Sequence, residues 1–227
     1  MKNALLAAAA AVPLAAILSC SSPSPQPVRR ASPPMAPAAV ENERGAEKAG
    51  REMAAGLFAR DPLTADERLL RYVGLVGRTA AGALPLAVRY RFAVTQSDVP
   101  YSLAYPGRFV VVSRGMLFVL SSEADLAVTL SREICRAPQV GNAGEASAES
   151  SDPAFEVKLD ACGARLASLA GYDVSGFLHV LESLRARAVS AREMSDLQGR
   201  IDAYKTLPEF LRGGKTLADR FRSSAIL

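Results

Sequence analysis

The 227-residue chain contains one histidine, His179, and no tryptophan. A lone imidazole in a helical stretch is more often packed or exposed than a ligand, and it cannot build a metal site by itself. Aromatic residues make up 6% of the chain, and the net charge is only +4, with lysines and arginines interspersed among acids. No aromatic platform and no basic stripe results, so nucleic acid is not expected as a partner. Long apolar runs are also missing. The longest, Ala4 to Ile17, falls short of the roughly 20 residues a membrane-spanning helix needs. No internal repeat is found.

What the N-terminus does have is a charged Lys2, that short apolar run, and small residues leading to Cys20. This is the pattern of an export leader. Ile17-Leu18-Ser19-Cys20 also resembles a lipobox, in which residues 1–19 are removed as a lipoprotein signal peptide and Cys20 carries acyl chains. An ordinary signal peptide that happens to contain a cysteine is the alternative. Residues 20–40 form the expected tether. Six of the fourteen prolines fall between Ser21 and Val40, among serines and alanines with little to offer a core. In polyproline II form such a segment reaches about 60 Å at about 3.1 Å per residue. Ser21, not Asp, follows the cysteine. In two-membrane bacteria that resemblance implies an outer membrane lipoprotein facing the periplasm, held to the membrane through lipid on Cys20.

Residues 41–227 are long enough for one domain with its own core. Ala46, Ala49, Met53 and Leu57 are spaced by three or four and predict a helix ending before Pro62. A second helix is expected from Thr64, where Thr64-x-x-Glu67 approximates a capping box, through Leu69, Leu70, Val73 and Val76 to Ala81. Val88 to Thr95 alternates like a strand, and a strand pair flanks the turn at Pro106-Gly107. Ser122 and Asp125 open a helix carrying Leu126, Leu130 and Ile134. Pro138 to Asp152 reads as a surface loop, and helices follow from Phe155 to Ala170 and from Val174 to about Ala188. The remainder reads as helical with a break at Gly213-Gly214. Basic groups at Arg185, Arg187 and Arg192, and from Arg212 to Arg222, read as solvated helix faces able to add weak attraction to an anionic membrane.

The order of these elements resembles the HtpX/BepA-like zinc metallopeptidases, family forty-eight of the metallopeptidases. The chain reads YSLAYPGR, FVVVSRGML, EADLAVTLSREICR, EVKLDACG and LAGYDV. In the family a loop like NAFAxPGG, a strand ending in TRGLL, a helix like EAELAxxLAHExxH, then ExxxDxxG and AGYDP follow in the same order. SDLQGRIDAY resembles the family's closing THPxxxxRI segment. The resemblance spans about three quarters of the chain. It implies an α+β fold, mainly helical and zincin-like, with a small sheet of roughly three strands.

In the family, histidines at i and i+4 of the HExxH helix grip zinc. Those two places are Arg132 and Arg136 here. Glu133 matches the general base, Glu156 the third metal ligand and Asp160 an acidic group behind it. Arginine stays protonated and has no lone pair for a metal, so no cofactor is expected. The two guanidinium groups either reach Glu156 or Asp160 and crosslink the helices that zinc joins, or point to solvent. Cys135 and Cys162 allow three states: a Cys/Cys/Glu zinc site, a disulfide in an oxidising compartment, or two separate buried thiols. Helical phase favours the last, since it turns Cys162 away from the Glu156 face.

Tyr101, Ser102, Leu103 and Ala104 match the edge strand that lines the family's substrate groove, and strand addition needs no metal. The expected function is thus a catalytically inactive pseudopeptidase that binds envelope proteins or peptides. Competing readings are a metalloendopeptidase with a non-standard zinc site, and a purely structural lipoprotein.

Overall fold

The computed structural model describes residues 37–85, 88–143, 152–208, 211 and 213–225. The expected leader, Cys20 and the tether as far as residue 36 lie outside the described residues. Eight helices and three strands are seen among the described residues: α1 Pro37–Arg60, α2 Glu67–Ala81, β1 Arg91–Thr95, β2 Ser102–Tyr105, β3 Phe109–Ser113, α3 Arg114–Val119, α4 Glu123–Ala143, α5 Pro153–Leu169, α6 Phe177–Arg187, α7 Ala191–Lys205 and α8 Ala218–Ala225. The fold is α+β and mainly helical.

The sheet is mixed, in the order β1-β3-β2. β2 and β3 form an antiparallel hairpin in which Leu103 faces Val111, while β1 runs parallel to β3 with Ala93 opposite Val111. The hairpin turns at Gly107 and Arg108, both at positive φ (70° and 66°). A Cβ on Gly107 would lie 2.5 Å from Cα of Glu47, so glycine also lets α1 approach the turn. One sheet face packs Tyr105 and Val111 against Ala54 and Leu57 of α1; Val94, Val110 and Val112 join the main core.

That core is organised on α4. Leu126, Ala127, Val128, Leu130 and Ile134 are all fully buried, and the helix touches α2, α5, β2 and β3. Burial of this helix makes its polar groups costly unless they are paired. At its start Ser122 Oγ accepts from Asp125 N (3.1 Å) and Asp125 Oδ2 accepts from Ser121 N (3.1 Å), while Asp125 Oδ1 and, farther along, Ser131 Oγ are buried without a hydrogen bond.

Several boundaries differ from expectation for local reasons. α1 already includes Pro37–Val40, which the sequence assigns to the tether. α2 is capped not by Thr64 but by Asp66, whose Oδ1 accepts from Arg68 N (2.9 Å) and Leu69 N (3.0 Å). α4 runs through Pro138 to Ala143, so the loop expected from Pro138 is helical over its first residues. Pro138 has no N–H for Ile134 O. The Tyr90 hydroxyl donates to that carbonyl instead, at 3.3 Å, repairing the defect from outside the helix. Residues 144–151 of the expected loop lie outside the described residues. Asp152 caps α5, with Pro153 at its first turn.

The C-terminal basic stretch is not simply a solvated face. Arg220 reaches the fully buried Glu123, setting Nε and Nη2 on its two oxygens, and the hydroxyls of Tyr72 (2.9 Å) and Tyr172 (2.8 Å) donate to the same carboxylate. This ties α8 to α2 and α4. Burial acts to raise the Glu123 pKa, but the hydrogen bonds from Arg220, Tyr172 and Tyr72 outweigh it and hold the carboxyl below the usual range. The resulting stability is complete above the ordinary glutamate value of 4.5 and drains away as pH falls through the lower folded value. Urea unfolding from pH 6 to pH 3 is therefore expected to show an acid-side loss that Glu123→Gln makes shallower.

Candidate functional site

α5 crosses α4 at Arg132. A Cβ on Gly163 would sit 2.8 Å from Arg132 N and 2.9 Å from its Cα, a contact of backbone on backbone that only glycine permits. Asp160 and Glu156 lie one and two turns before Gly163 on the same face of α5, so the crossing carries both carboxylates to the arginines of α4.

There the two arginines bind. Arg132 donates from Nε to Asp160 Oδ1 (2.9 Å) and from Nη1 to Glu133 Oε1 (2.6 Å), and its Nη2 is paired with Glu156. Arg136 donates from Nε to Glu133 Oε2 (3.1 Å) and from Nη2 to both oxygens of Glu156 (2.8 and 2.9 Å). Its guanidinium carbon lies 5.7 Å from the Phe155 ring centre, stacked at the start of α5. Of the two possibilities for the arginines, the structure has the crosslink.

A third cation completes the cluster. Arg200 of α7 forks onto Asp160, donating from Nε to Oδ2 (2.7 Å) and from Nη2 to Oδ1 (2.8 Å). Three guanidinium groups thus meet three carboxylates, and all six side chains are buried or nearly so. Burial pulls the Arg132 pKa below the usual arginine range, and Glu133 and Asp160 beside it oppose that pull. Sequence reading assigned Arg200 no role. The signal available is its place in SDLQGRIDAY, the segment that resembles the closing THPxxxxRI of the zinc peptidases.

Glu133 is fully buried beneath the arginines, and Ser102 Oγ adds a further hydrogen bond to its Oε1 at 2.9 Å. Both carboxylate oxygens are engaged by hydrogen bonds and the side chain has no exposed surface, so the residue that the resemblance places as general base is shut off from the cleft. Zinc does not fit this residue set. Arg132 and Arg136 offer no lone pairs, and Glu156 already accepts from both.

The cysteines also depart from the favoured expectation of separate thiols. Cys135 and Cys162 are joined in a disulfide between α4 and α5, with Cα atoms 6.3 Å apart. Helical phase does turn Cys162 off the Glu156 face, but the flanks of two closely packed helices also meet, and there the thiols pair. Their engagement removes the thiolates a Cys/Cys/Glu zinc site would require. His179 is exposed on α6.

Beside the cluster lies a cleft of about 530 Å³. One wall is the run Pro100–Ala104, the floor includes Arg132, Arg136 and Glu156, and α7 supplies Asp196, Leu197 and Arg200. β2 is an edge strand, paired with β3 alone among the described residues. Tyr101 O accepts from Ser113 N (3.0 Å), which sets Tyr101 and Leu103 as the residues hydrogen-bonded to β3. The backbone groups of Ser102 and Ala104 therefore point the other way. Side chains divide as well. Tyr101 and Leu103 pack toward α1, whereas Ser102 meets Glu133 and Ala104 packs on Ala137 and Val140. The Tyr101 hydroxyl donates to Asp61 (2.9 Å) and shares a hydrogen bond with Thr95 (2.6 Å). Burial pushes its pKa up to about 12, so it is a neutral anchor for the strand.

No family model and no curated protein matches this chain.

Proposed function

We propose that this chain is a catalytically inactive, zincin-like pseudopeptidase, anchored through Cys20 to the periplasmic face of an outer membrane, that binds extended segments of envelope proteins in the cleft beside β2. The observation that carries the reading is the arginine cluster. Where the resembling family holds zinc, Arg132 and Arg136 place cations on Glu133, Glu156 and Asp160.

Zinc-dependent hydrolysis needs a bound water whose pKa falls from about 15.7 to about 7, a change of roughly 12 kcal/mol. Guanidinium groups bind the carboxylates but give water no Lewis acid. Strand addition depends only on backbone N–H and C=O groups and on nearby side-chain pockets, and the edge of β2 supplies both. The Cys135–Cys162 bond fits an oxidising compartment. The lipobox-like Ile17-Leu18-Ser19-Cys20 supports the anchor.

The test is metal content and proteolysis by the purified full chain. Incubated with zinc and dialysed, it is expected to keep well under one zinc per chain and to leave casein intact. Retention of about one zinc, with casein cleavage lost in Glu133→Gln, overturns the reading in favour of a metalloendopeptidase.

A further inference from the structure

The cluster has more donors than acceptors. A guanidinium carries five N–H donors and a carboxylate about four lone-pair directions, so three of each leave a surplus of about three N–H groups. Ser102 enlarges it by spending one acceptor site on Glu133. The surplus has a location. Arg132 uses all three of its nitrogens, but Nη1 of Arg136 and Nη1 of Arg200 make none of the hydrogen bonds described above. Both residues line the cleft, and neither Nη1 is among the fully buried unpartnered atoms.

The acids of the cleft wall do not reach either of these nitrogens. Glu156 takes both α4 arginines, Glu193 accepts from Val189 N (3.0 Å), and Asp196 lies 3.8 Å from Arg192. The two outer Nη1 groups are without an acceptor among the described residues, and the strongest partner for an unspent guanidinium edge is a carboxylate.

We infer that the cleft selects extended polypeptide segments with an acidic side chain, Asp or Glu, whose carboxylate accepts from Nη1 of Arg136 and Arg200 while the segment's backbone pairs with Ser102 and Ala104. The inference rests on the peptide-binding reading above and adds the class of ligand. The backbone contacts supply affinity without sequence preference, and the two guanidinium edges supply the preference.

Two fluorescently labelled peptides test it, both short, end-blocked and built of alternating valine and threonine, one with central glutamates and its twin with glutamines. Anisotropy titrations on the full chain are expected to show the glutamate peptide binding about tenfold more tightly, equivalent to roughly 1.4 kcal/mol. The gap should narrow as salt rises. Arg200→Lys, which keeps a cation on Asp160 but removes the outer nitrogen, is expected to close most of it; Arg136→Lys is the second variant should the first unfold. Ala104→Pro removes an N–H that the ladder does not use and is expected to abolish binding of both peptides, read on protein whose far-ultraviolet circular dichroism matches the parent; Ser102→Pro is the second variant should the buried Ala104 not accept the ring.

Equal binding of the twins, still blocked by Ala104→Pro, overturns the acidic preference and leaves the peptide-binding reading standing. Binding of neither peptide overturns both. A cleft occupied by a second copy, seen as a dimer that Ala104→Pro dissociates, also overturns the inference.

Discussion

Arg132→Met is expected to lower the unfolding free energy by about 3–5 kcal/mol, the usual cost of removing one partner from a buried ion cluster. For a chain of this size that is a fall in melting temperature of roughly 6–20 °C. Methionine keeps much of the side chain's volume, so the loss is electrostatic. Glu133, fully buried, keeps only Arg136 and Ser102, Glu156 keeps only Arg136, and Asp160 keeps only Arg200. Three carboxylates then face two cations in a low-dielectric setting where like charges are poorly screened. Arg192→Met is the control. Its guanidinium is 80% exposed and 3.8 Å from Asp196, so its loss is expected to cost less than about 0.5 kcal/mol. Urea unfolding of both variants decides the matter. If Arg132→Met costs no more than Arg192→Met, the arginines are passengers on a decayed site and do not hold α4 to α5.

A large cost for breaking the cluster does not mean the intact cluster adds much net stability. Desolvating six charged groups offsets most of what their mutual attraction supplies, and an apolar replacement of equal volume is often as stable. Its effect is better seen in what it fixes. Arg132 touches Glu133 on its own helix and Glu156 and Asp160 on α5, while Arg200 brings α7 to the same Asp160. Three helices are held in one register, and β2 joins them through Ser102. A rigid floor of this kind is what an edge strand needs if its cleft is to keep its shape without a ligand.

The parts of this arrangement legible in the sequence are those with a local pattern. The spacing of Leu126, Leu130 and Ile134 identifies α4 and puts Arg132 and Arg136 on one face of it, one turn apart. EVKLDACG sets Glu156, Asp160 and Gly163 on one face of α5, and Pro106-Gly107 marks the hairpin that makes β2. What escaped reading depends on contacts far apart in the chain. Arg200 completes the cluster from 40 residues beyond Asp160, and its place in SDLQGRIDAY names no partner for it. Pro138 reads as a helix end because the hydroxyl that repairs its missing bond belongs to Tyr90. Arg220 reads as one of several surface cations until the fold sets it against Glu123. Thr64 and Asp66 are both capping residues, and only the path of the chain decides that Asp66 receives the two N–H groups. For Cys135 and Cys162 the sequence offers the disulfide as one of three states, and helical phase favours separate thiols only because it treats a helix as having one contacting face, when neighbours packed as closely as α4 and α5 also meet along their flanks.

The double substitution Arg132→His with Arg136→His is expected to create a zinc affinity that the parent's guanidinium groups do not supply. Imidazoles would then stand at i and i+4 on one face of α4, and Glu156 already reaches the ends of both side chains now there. Two imidazoles, a carboxylate and water make a familiar open tetrahedral zinc set, with metal–nitrogen distances of about 2.0–2.1 Å. The remaining acids stay partly satisfied, Asp160 by Arg200 and Glu133 by Ser102. Without metal the double variant loses two cations, so it is expected to unfold more readily than the parent. Zinc at about a hundred times its dissociation constant returns about 2.7 kcal/mol. The melting temperature should therefore fall with the substitutions and rise again with zinc, whereas each single variant, lacking one imidazole, responds weakly. Competition with a chromogenic chelator gives the stoichiometry, expected near one zinc per chain. A double variant that folds, by far-ultraviolet circular dichroism, yet takes up no zinc shows that α4 and α5 lack the spacing a metal requires, and the proposed kinship to zinc peptidases then has to be given up.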